Sequence, residues 1–179
     1  AMSQGGQIRK WPIRGGSAIT LTGGALGTPV IRLDDGTLVY TTADFRLGRV
    51  PAAGGEATVV WQRPDSMQLS WPVLPAALPG GRGVLFTLCP TGCIRSDLWV
   101  VDFRTGKSWR LMPDAARSWY LPTGHIAFSR RDGSVLAAPF DLDRLEVSGA
   151  PVPILEDVTM SFGVFADLAF SQTGNLAMQ

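Results

Sequence analysis

The chain has 179 residues, of which 45% are apolar and 17% charged, so it can bury a core and lacks the composition of a disordered protein. The net charge is +1 and no lysine and arginine cluster occurs, which argues against nucleic-acid binding. No apolar run reaches the roughly 18 residues of a membrane helix, so membrane insertion is not expected.

The N-terminal stretch AMSQGGQIRKW lacks the apolar segment of a signal peptide. Ala1 resembles a tag remnant in front of a natural Met2, and on that interpretation we expect a cytoplasmic protein. Glycine (21 residues) and proline (13 residues) are frequent. Because both residues punctuate turns, their abundance favours many short strands.

Apolar strand pairs joined by glycine turns follow one another along the chain and fall into two alternating sets. The first set has its turns at Gly36, Gly81, Gly124 and Gly174, and the second at Gly16, Gly55, Gly106 and Gly149. Segments such as TLVYTT and DLWVVDF are rich in β-branched and aromatic residues, which suit strands. Asp35-Gly36 supplies the positive φ of a tight hairpin. No helix of ten residues or more is predicted.

We call the strands of the first set A and B and those of the second set C and D. Four antiparallel strands that repeat about every 45 residues form one propeller blade. We therefore predict an all-β fold, a single β-propeller domain over 1–179 with four blades' worth of strands. Its parts are a C–D pair at 8–22, blades at 29–61, 71–112 and 119–155, and an A–B pair at 166–178. A β-sandwich with coincidental strand spacing is the alternative.

The first and last strand pairs complement each other, since 166–178 supplies A and B and 8–22 supplies C and D. Joining them into one blade would remove an open sheet edge. This blade could close within a four-bladed monomer or between two chains in an eight-bladed ring. The predicted partner is therefore a second copy, bound through the terminal strands as a homodimer.

Two stretches carry a resemblance to known families. LTGG…TPVIRLDDGTLVYTT…FRLGRVPAAGGEATVV resembles the TolB-type, WD-repeat-like propeller repeat. YLPTGHIAFSRRDGSVLAAPFDLDRLEVSGAPVPILEDV (120–158) resembles propellers that follow bacterial serine/threonine protein kinase domains. The resemblance implies a sensing or protein-interaction propeller, in that family often periplasmic or extracellular. Kinase activity is not implied, because the chain has neither a Gly-rich loop with its lysine nor a His-Arg-Asp loop.

The chain offers few catalytic candidates. His125, the only histidine, follows a hairpin turn, and no Gly-x-Ser-x-Gly motif accompanies it. The acids Asp34, Asp35, Asp141 and Asp143 fall in turns, where capping is their ordinary role. A hydrolase with carboxylates around the channel, like metal-dependent propeller lactonases, is an alternative, but no cofactor or metal is predicted. Cys89 and Cys93 could be reduced thiols or a disulfide, and a metal site would need further ligands.

The D–A and B–C loops of a propeller share one face, and aromatic and arginine residues there suggest binding. The candidate ligand-binding residues are Arg63, Asp65, Gln68, Trp71, Arg95, Arg117, Trp119, Arg130, Arg131 and Asp132. Trp71 and Trp119 could instead fill the wedge between blades, and Trp61, Trp99 and Trp109 are predicted core residues. The predicted function is a non-enzymatic module that binds a peptide, protein or small polar ligand. A propeller hydrolase and an assembly fragment of a larger propeller are the alternatives.

Overall fold

The computed structural model describes residues 1–67, 70–90, 93–171 and 176–178. These residues form antiparallel β-strands and short 3₁₀ turns, such as Asp65–Met67 and Pro79–Gly81, and no α-helix occurs among them. The strands are β1 (Met2–Gln4), β2 (Gln7–Lys10), β3 (Ile19–Gly23), β4 (Ile31–Arg32), β5 (Thr37–Thr41), β6 (Leu47–Pro51), β7 (Thr58–Trp61), β8 (Ser70–Ala77), β9 (Gly83–Pro90), β10 (Asp97–Asp102), β11 (Ser108–Met112), β12 (Ser118–Leu121), β13 (His125–Ser129), β14 (Val135–Asp141), β15 (Glu146–Val147), β16 (Val152–Leu155), β17 (Met160–Ser161), β18 (Phe165–Ala166), β19 (Leu168–Phe170) and β20 (Leu176–Met178). The all-β prediction is confirmed.

Three sheets of A–B–C–D order make up the middle of the chain. They are β4–β7, β8–β11 and β12–β16, in which β14 pairs with both β15 and β16. Their strands extend over 31–61, 70–112 and 118–155. The corresponding predicted blades were 29–61, 71–112 and 119–155. The repeat glycines Gly36 and Gly124 have φ of 80° and 76°, as the hairpin prediction requires. Gly174 lies outside the described residues.

Smaller sheets flank these three. Strands β1–β3 form a three-stranded sheet, and β17–β18 and β19–β20 form two hairpins. Strand β1 was not predicted; it pairs with β2 because Gly5 and Gly6, both at positive φ, turn the chain between them. Hairpin β17–β18 was not predicted either, since its strands have only two residues each. Within the described residues, β19–β20 and β1–β3 are separate sheets without a hydrogen-bonded pairing.

Apolar side chains fill the spaces between neighbouring sheets. Trp61, on β7, is buried against Val84, Phe86 and Val101 of the next sheet. Its Nε1 donates to Ser108 Oγ at 3.0 Å, so the indole also makes a polar link between the two sheets. The prediction of Trp61 as a core residue is confirmed, and Trp99 and Trp109 pack against the core clusters as partly buried residues.

A buried hydroxyl recurs in the second half of the B strand in each of the three A–B–C–D sheets. Thr41, Thr87 and Ser129 are fully buried. Thr41 Oγ1 donates to the Pro72 carbonyl at 2.9 Å, and Thr87 Oγ1 donates to the Ala116 carbonyl at 2.6 Å. Each of these two bonds joins one sheet to the chain at the start of the next sheet. These buried hydrogen bonds therefore link neighbouring sheets.

The A–B and C–D hairpins define one face of the molecule, which we call the turn face. Here Arg82 pairs with the buried carboxylate of Asp102 and donates to the Asp143 carbonyl of the next sheet at 2.9 Å. The Asp34 carboxylate accepts a hydrogen bond from the Gly80 N–H at 2.7 Å, which likewise links two neighbouring sheets. The turn face is thus held together by charged groups that are bonded within the protein.

Candidate functional site

The D–A and B–C loops lie at the opposite face, which we call the loop face. Segments from these loops and from hairpin β17–β18 meet around an apolar pocket of about 360 Å³. Its lining residues are Leu26, Thr28, Phe45, Trp71, Val73, Cys93, Val164 and Phe165. None of them is charged. We refer to this cavity as the loop-face pocket.

Two aromatic rings form one wall of the loop-face pocket. The Phe45 ring packs against Trp71 with the centroids 5.1 Å apart. Phe45 adopts φ of 62°, which is uncommon for a residue with a large side chain and occurs often at binding sites. The loop after β5 therefore directs an aromatic residue of the first A–B–C–D sheet onto the inner strand of the second.

A disulfide lies beside the aromatic wall. Cys89, which is fully buried in β9, is bonded to Cys93, a lining residue of the pocket. Of the three alternatives left open by the sequence, the structure shows the disulfide. The bridge ties the start of the β9–β10 loop to its strand, so Cys93 stays against the pocket. Ala116 and Val164 pack in the same apolar cluster.

Hairpin β17–β18 extends across the loop face and closes one side of the pocket. The Arg131 guanidinium donates to the Cys93 carbonyl and lies so close to Gly163 that a Cβ there would come within 2.4 Å of it. Arg117 donates to the Ala166 carbonyl at 3.1 Å. At the hairpin tip, Phe162 is 87% exposed. Arg117 and Arg131, two of the predicted binding residues, therefore contact the hairpin, and an exposed aromatic ring lies at its tip.

One polar group of the pocket lining has no partner. The Thr28 hydroxyl oxygen is buried and makes no hydrogen bond within the described part of the chain. The Thr28 backbone is fixed, because its N–H donates to the Leu26 carbonyl at 2.7 Å. A buried hydroxyl without a partner is costly unless something else supplies a bond. Among the side-chain polar atoms of the described lining, it is the one that is both buried and without a hydrogen bond.

The inner strands of four sheets enclose a second cavity, of about 340 Å³, which we call the axial cavity. Predicted residues Arg117 and Trp119 line it, with the Arg117 guanidinium 5.2 Å from the Trp119 ring centroid. The Trp119 ring meets Phe170 edge-on at 5.3 Å. Burial lowers the pKa of Arg117, and the nearby Asp167 carboxylate opposes that shift. Trp119 thus packs between two inner strands, as the wedge interpretation expects.

The other predicted residues that the structure describes do not line the loop-face pocket. Arg63 donates to the Ser70 carbonyl at 2.8 Å, and Asp65 begins an exposed 3₁₀ turn. Gln68 lies outside the described residues. Arg95 lines a separate groove of about 700 Å³ together with Trp99. The structure therefore distributes the predicted set over several surfaces.

Arg130, Arg131 and Asp132 line a small cavity of about 230 Å³ with Ser96 and Asp114. The Asp132 carboxylate accepts bonds from the Ser134 hydroxyl at 2.6 Å and from the Ser134 N–H at 2.9 Å. These bonds hold the pKa of Asp132 below its usual value. Asp132 therefore caps its own turn.

The side chains considered as catalytic candidates make hydrogen bonds within their own turns. His125 Nδ1 lies 3.0 Å from the Thr123 carbonyl, within its own hairpin. The Asp141 carboxylate accepts the N–H groups of Asp143 and Arg144, each at 2.9 Å. Within the described residues, no group of three or more histidine, cysteine or acidic side chains is placed to hold a metal ion. No helix among them is long and apolar enough to span a membrane.

Sequence reasoning missed two parts of the loop-face pocket, Phe45 and hairpin β17–β18. A signal for Phe45 exists in the sequence TTADFRLG, where an aromatic residue stands in a polar B–C turn. An exposed aromatic in a loop is more informative about binding than one within a strand. The hairpin has a weaker signal, the aromatic residues flanking Gly163 in MSFGVF.

Comparison with known proteins shows similarity at the level of the fold. No protein-family model and no curated protein sequence matches this chain. The solved structure of regucalcin from Agrobacterium tumefaciens, a calcium-binding protein, matches with a TM-score of 0.65 at 12% identity, over 83% of this chain and 51% of that one. TolB from Acinetobacter baumannii matches with a TM-score of 0.65 at 16% identity, over 96% and 42%.

An oligogalacturonate lyase in complex with manganese is also similar, with a TM-score of 0.60 at 11% identity over 88% of this chain and 44% of the lyase. The chain spans about half the length of these structures. They support a β-propeller fold for this chain, and at such identities the likeness concerns the fold alone. The finer resemblance of 120–158 to kinase-associated propellers stays a prediction.

Proposed function

We propose that the chain is a non-enzymatic β-propeller module that binds a peptide or a protein through its loop face. One observation carries the proposal: loops of different sheets and hairpin β17–β18 converge on a single apolar pocket. Binding sites are concave, largely apolar and lined by aromatic side chains, and this pocket has that character. The exposed ring of Phe162 beside it extends the apolar surface toward a partner.

A peptide selection tests this proposal. The protein is immobilised and a random peptide library is selected against it. The selected peptides are then assayed on Phe162→Ser and on Val59→Ser. Both side chains are exposed, but Val59 lies on the outer strand β7 and does not line the loop-face pocket. We expect peptides that bind the wild type and Val59→Ser alike and bind Phe162→Ser at least fivefold more weakly. Peptides unaffected by Phe162→Ser would contradict recognition by the loop face.

The hydrolase alternative requires carboxylates that are free to hold a metal ion. Asp35 and Asp132 each accept two bonds from the residue two positions later, and Asp141 accepts N–H groups of its own turn. These bonds favour a capping role. Calorimetry with Ca²⁺ and Mn²⁺, the ions named for two of the similar structures, separates the alternatives. We expect no stoichiometric binding heat, and a site of one ion per chain that is lost on Asp35→Asn would support the hydrolase.

We also propose that two chains associate through their terminal sheets into an eight-bladed ring. Two observations support this. Apolar side chains are exposed at both terminal sheets, namely Trp11, Ile13 and Ile19 at the first and Leu176 at the last. The chain also spans only about half the length of its structural neighbours. Light scattering after size exclusion should give twice the chain mass of 19.2 kDa. Ile13→Lys combined with Ile19→Lys should return the mass to one chain. A wild-type mass of 19.2 kDa would support the four-bladed monomer instead.

A further inference from the structure

We infer that the ring of the proposed dimer closes by strand exchange, in which β20 of a second copy replaces β1 beside β2. The inference rests on the proposed association of two chains, because it names the strand that each copy provides and the strand that it displaces. Three features of the terminal sheets lead to it: the position of β1, its shallow burial and the free edge of β20.

The chain has two strands for one position in the joined blade. In the sheets β4–β7 and β8–β11, the second strand, B, pairs antiparallel with the third strand, C. By the predicted repeat, β2 and β3 are strands C and D of the terminal blade. Strand β1 pairs antiparallel with β2, so it lies where a B strand belongs. The hairpin β19–β20 supplies A and B, and β20 therefore completes the blade only if β1 leaves β2.

Strand β1 lies at the B position without contributing a buried side chain. It has three residues, of which Met2 and Gln4 are exposed and Ser3 is half-buried. The B strands β5 and β13 have five residues each, and in both of them four of the five are buried. Because a strand stabilises a sheet largely through the apolar area that it buries, β1 contributes far less than a complete B strand.

The backbone bonds of β1 are ones that another strand can replace. Strand β1 pairs with β2 in the register Met2↔Arg9, Ser3↔Ile8 and Gln4↔Gln7. A strand that replaces β1 forms equivalent bonds with β2, so the exchange preserves the ladder. The bond from Ser3 Oγ to the Leu26 carbonyl, at 2.8 Å, belongs to β1 itself and is lost. One such bond changes an equilibrium constant by about fivefold.

Strand β20 has an apolar sequence and a free edge. Its sequence, Leu176–Met178, is Leu-Ala-Met, and the side chains of Leu176 and Ala177 are exposed. One edge of β20 pairs with β19, and the other has no hydrogen-bonded strand among the described residues. An unpaired edge is a template for pairing with another chain. The exchange would replace the polar Ser3 and Gln4 by an apolar B strand, as in the middle sheets.

A second copy is the partner that the observations favour for β20. In the described part of one chain, β1 is already paired with β2, and β20 pairs with β19 alone. Exposed Ile19 and Leu176 lie on the two sheets that the exchange would join. The chain spans about half the length of its structural neighbours, so two copies have about the length of one of them.

A disulfide that locks β1 onto β2 tests the exchange. Met2 and Arg9 are opposite each other, and opposite residues of antiparallel strands lie about 4.5–5.5 Å apart at Cα, within the range of about 4.4–6.8 Å that a disulfide spans. At concentrations that give a wild-type dimer, oxidised Met2→Cys/Arg9→Cys should keep the chain mass of 19.2 kDa in light scattering. Reduction should restore the dimer. The wild type in the same reductant is the control, because Cys89–Cys93 is reduced as well.

Ser3→Pro tests the opposite change. Proline removes a backbone N–H and the Ser3 hydroxyl and is disfavoured within a strand. The dimer should therefore dissociate at a concentration about fivefold lower than for the wild type. Ser3→Thr keeps the hydroxyl and the N–H, so it should match the wild type. Amide hydrogen exchange gives the direct readout: on dimerisation, N–H groups of β20 should gain protection and those of β1 should lose it.

The outcomes separate the exchange from the association of two chains. A dimer of the oxidised locked variant, or a wild-type dimer in which β1 keeps its protection, would overturn the exchange and leave the association intact. Wild type and Ser3→Pro that both stay monomeric would overturn both proposals. A monomeric wild type with a dimeric Ser3→Pro would support the exchange. Protection of β20 in a monomer would assign it to its own chain and overturn the exchange between copies.

Discussion

The turn face and the loop face differ in how their charged and aromatic side chains are engaged. On the turn face, Arg82 meets the Asp102 carboxylate and the Asp143 carbonyl, and Asp34 meets the Gly80 N–H. Each of these side chains makes bonds inside the protein, although the buried Arg82 Nε has no partner among the described residues, and two of the bonds cross from one sheet to the next. On the loop face, Thr28 keeps a buried hydroxyl without a partner and Phe162 keeps an exposed ring.

This difference separates structural polar groups from groups that are free for a ligand. A buried charge must be paired where it is, because an unpaired one costs several kcal/mol. An exposed aromatic ring such as that of Phe162 adds little to stability and is free to contact a ligand. The turn face should therefore govern stability, and the loop face should govern recognition. The predictions below test that division, from the largest expected effect to the smallest.

Asp102→Asn should cause the largest loss of stability. Asp102 and Arg82 are both nearly buried, so the substitution leaves a guanidinium without its counter-charge. We expect the free energy of unfolding to fall by about 3 kcal/mol, measured by urea denaturation. Asp44→Asn, which breaks the exposed pair with Arg46, should change it by no more than about 0.5 kcal/mol. Equal effects of the two substitutions would contradict the importance of the buried pair.

Acid should weaken the protein through the same carboxylate. Desolvation opposes ionisation of Asp102, but hydrogen bonds from Arg82, the Arg104 N–H and Thr105 outweigh it and lower its pKa. The unfolded pKa of an aspartate is about 3.9, and the folded pKa of Asp102 lies below it. Its contribution to the free energy of unfolding is therefore complete above the unfolded pKa and is lost as the pH falls through the folded pKa. Thermal unfolding between pH 7 and pH 3 should therefore show a fall below pH 4, and Asp102→Asn should reduce its size.

Thr87→Val should have an intermediate effect. The substitution keeps the shape of a fully buried side chain but removes the bond to the Ala116 carbonyl. We expect a loss of about 1–2 kcal/mol, because the carbonyl stays buried without that partner. Thr58→Val on exposed β7 is the control and should be neutral in the same urea experiment. A neutral Thr87→Val would show that the inter-sheet hydroxyl adds no stability.

Phe162→Ser should have the smallest effect on stability. Since the ring is exposed at the tip of hairpin β17–β18, its removal should change the free energy of unfolding by no more than about 0.5 kcal/mol. The same variant should lose peptide binding at the loop face. A large loss of stability with intact binding would contradict the assignment of stability to the turn face and recognition to the loop face.

The sequence predicted the strand repeat well because its determinants are local. Gly36 and Gly124 require turns through their own backbone, and segments such as TLVYTT favour strands through their own side chains. The bonds between sheets were not predicted. The threonines at 41 and 87 recur at nearly the same place after each turn, but their acceptors, Pro72 and Ala116, lie about 30 residues further along the chain.

The candidate site was predicted only in part for a related reason. Residue type and loop position predicted binding roles for Trp71, Arg117 and Arg131, and the structure places Trp71 in the lining of the loop-face pocket. They did not show that both arginines bind backbone carbonyls of the protein itself. Phe45 was missed because its contact with Trp71 depends on a backbone angle, φ of 62°, that its sequence does not specify.

The inter-sheet hydroxyls also bear on cooperativity. Thr41 and Thr87 each couple one sheet to its immediate successor, and the apolar clusters likewise join neighbouring sheets. Stability in such an arrangement is close to a sum of nearest-neighbour terms, as in repeat proteins. Amide hydrogen exchange should therefore be slowest in β8–β11, which has a complete sheet on either side, and faster toward both ends of the chain. Unfolding would then proceed inward, one sheet at a time.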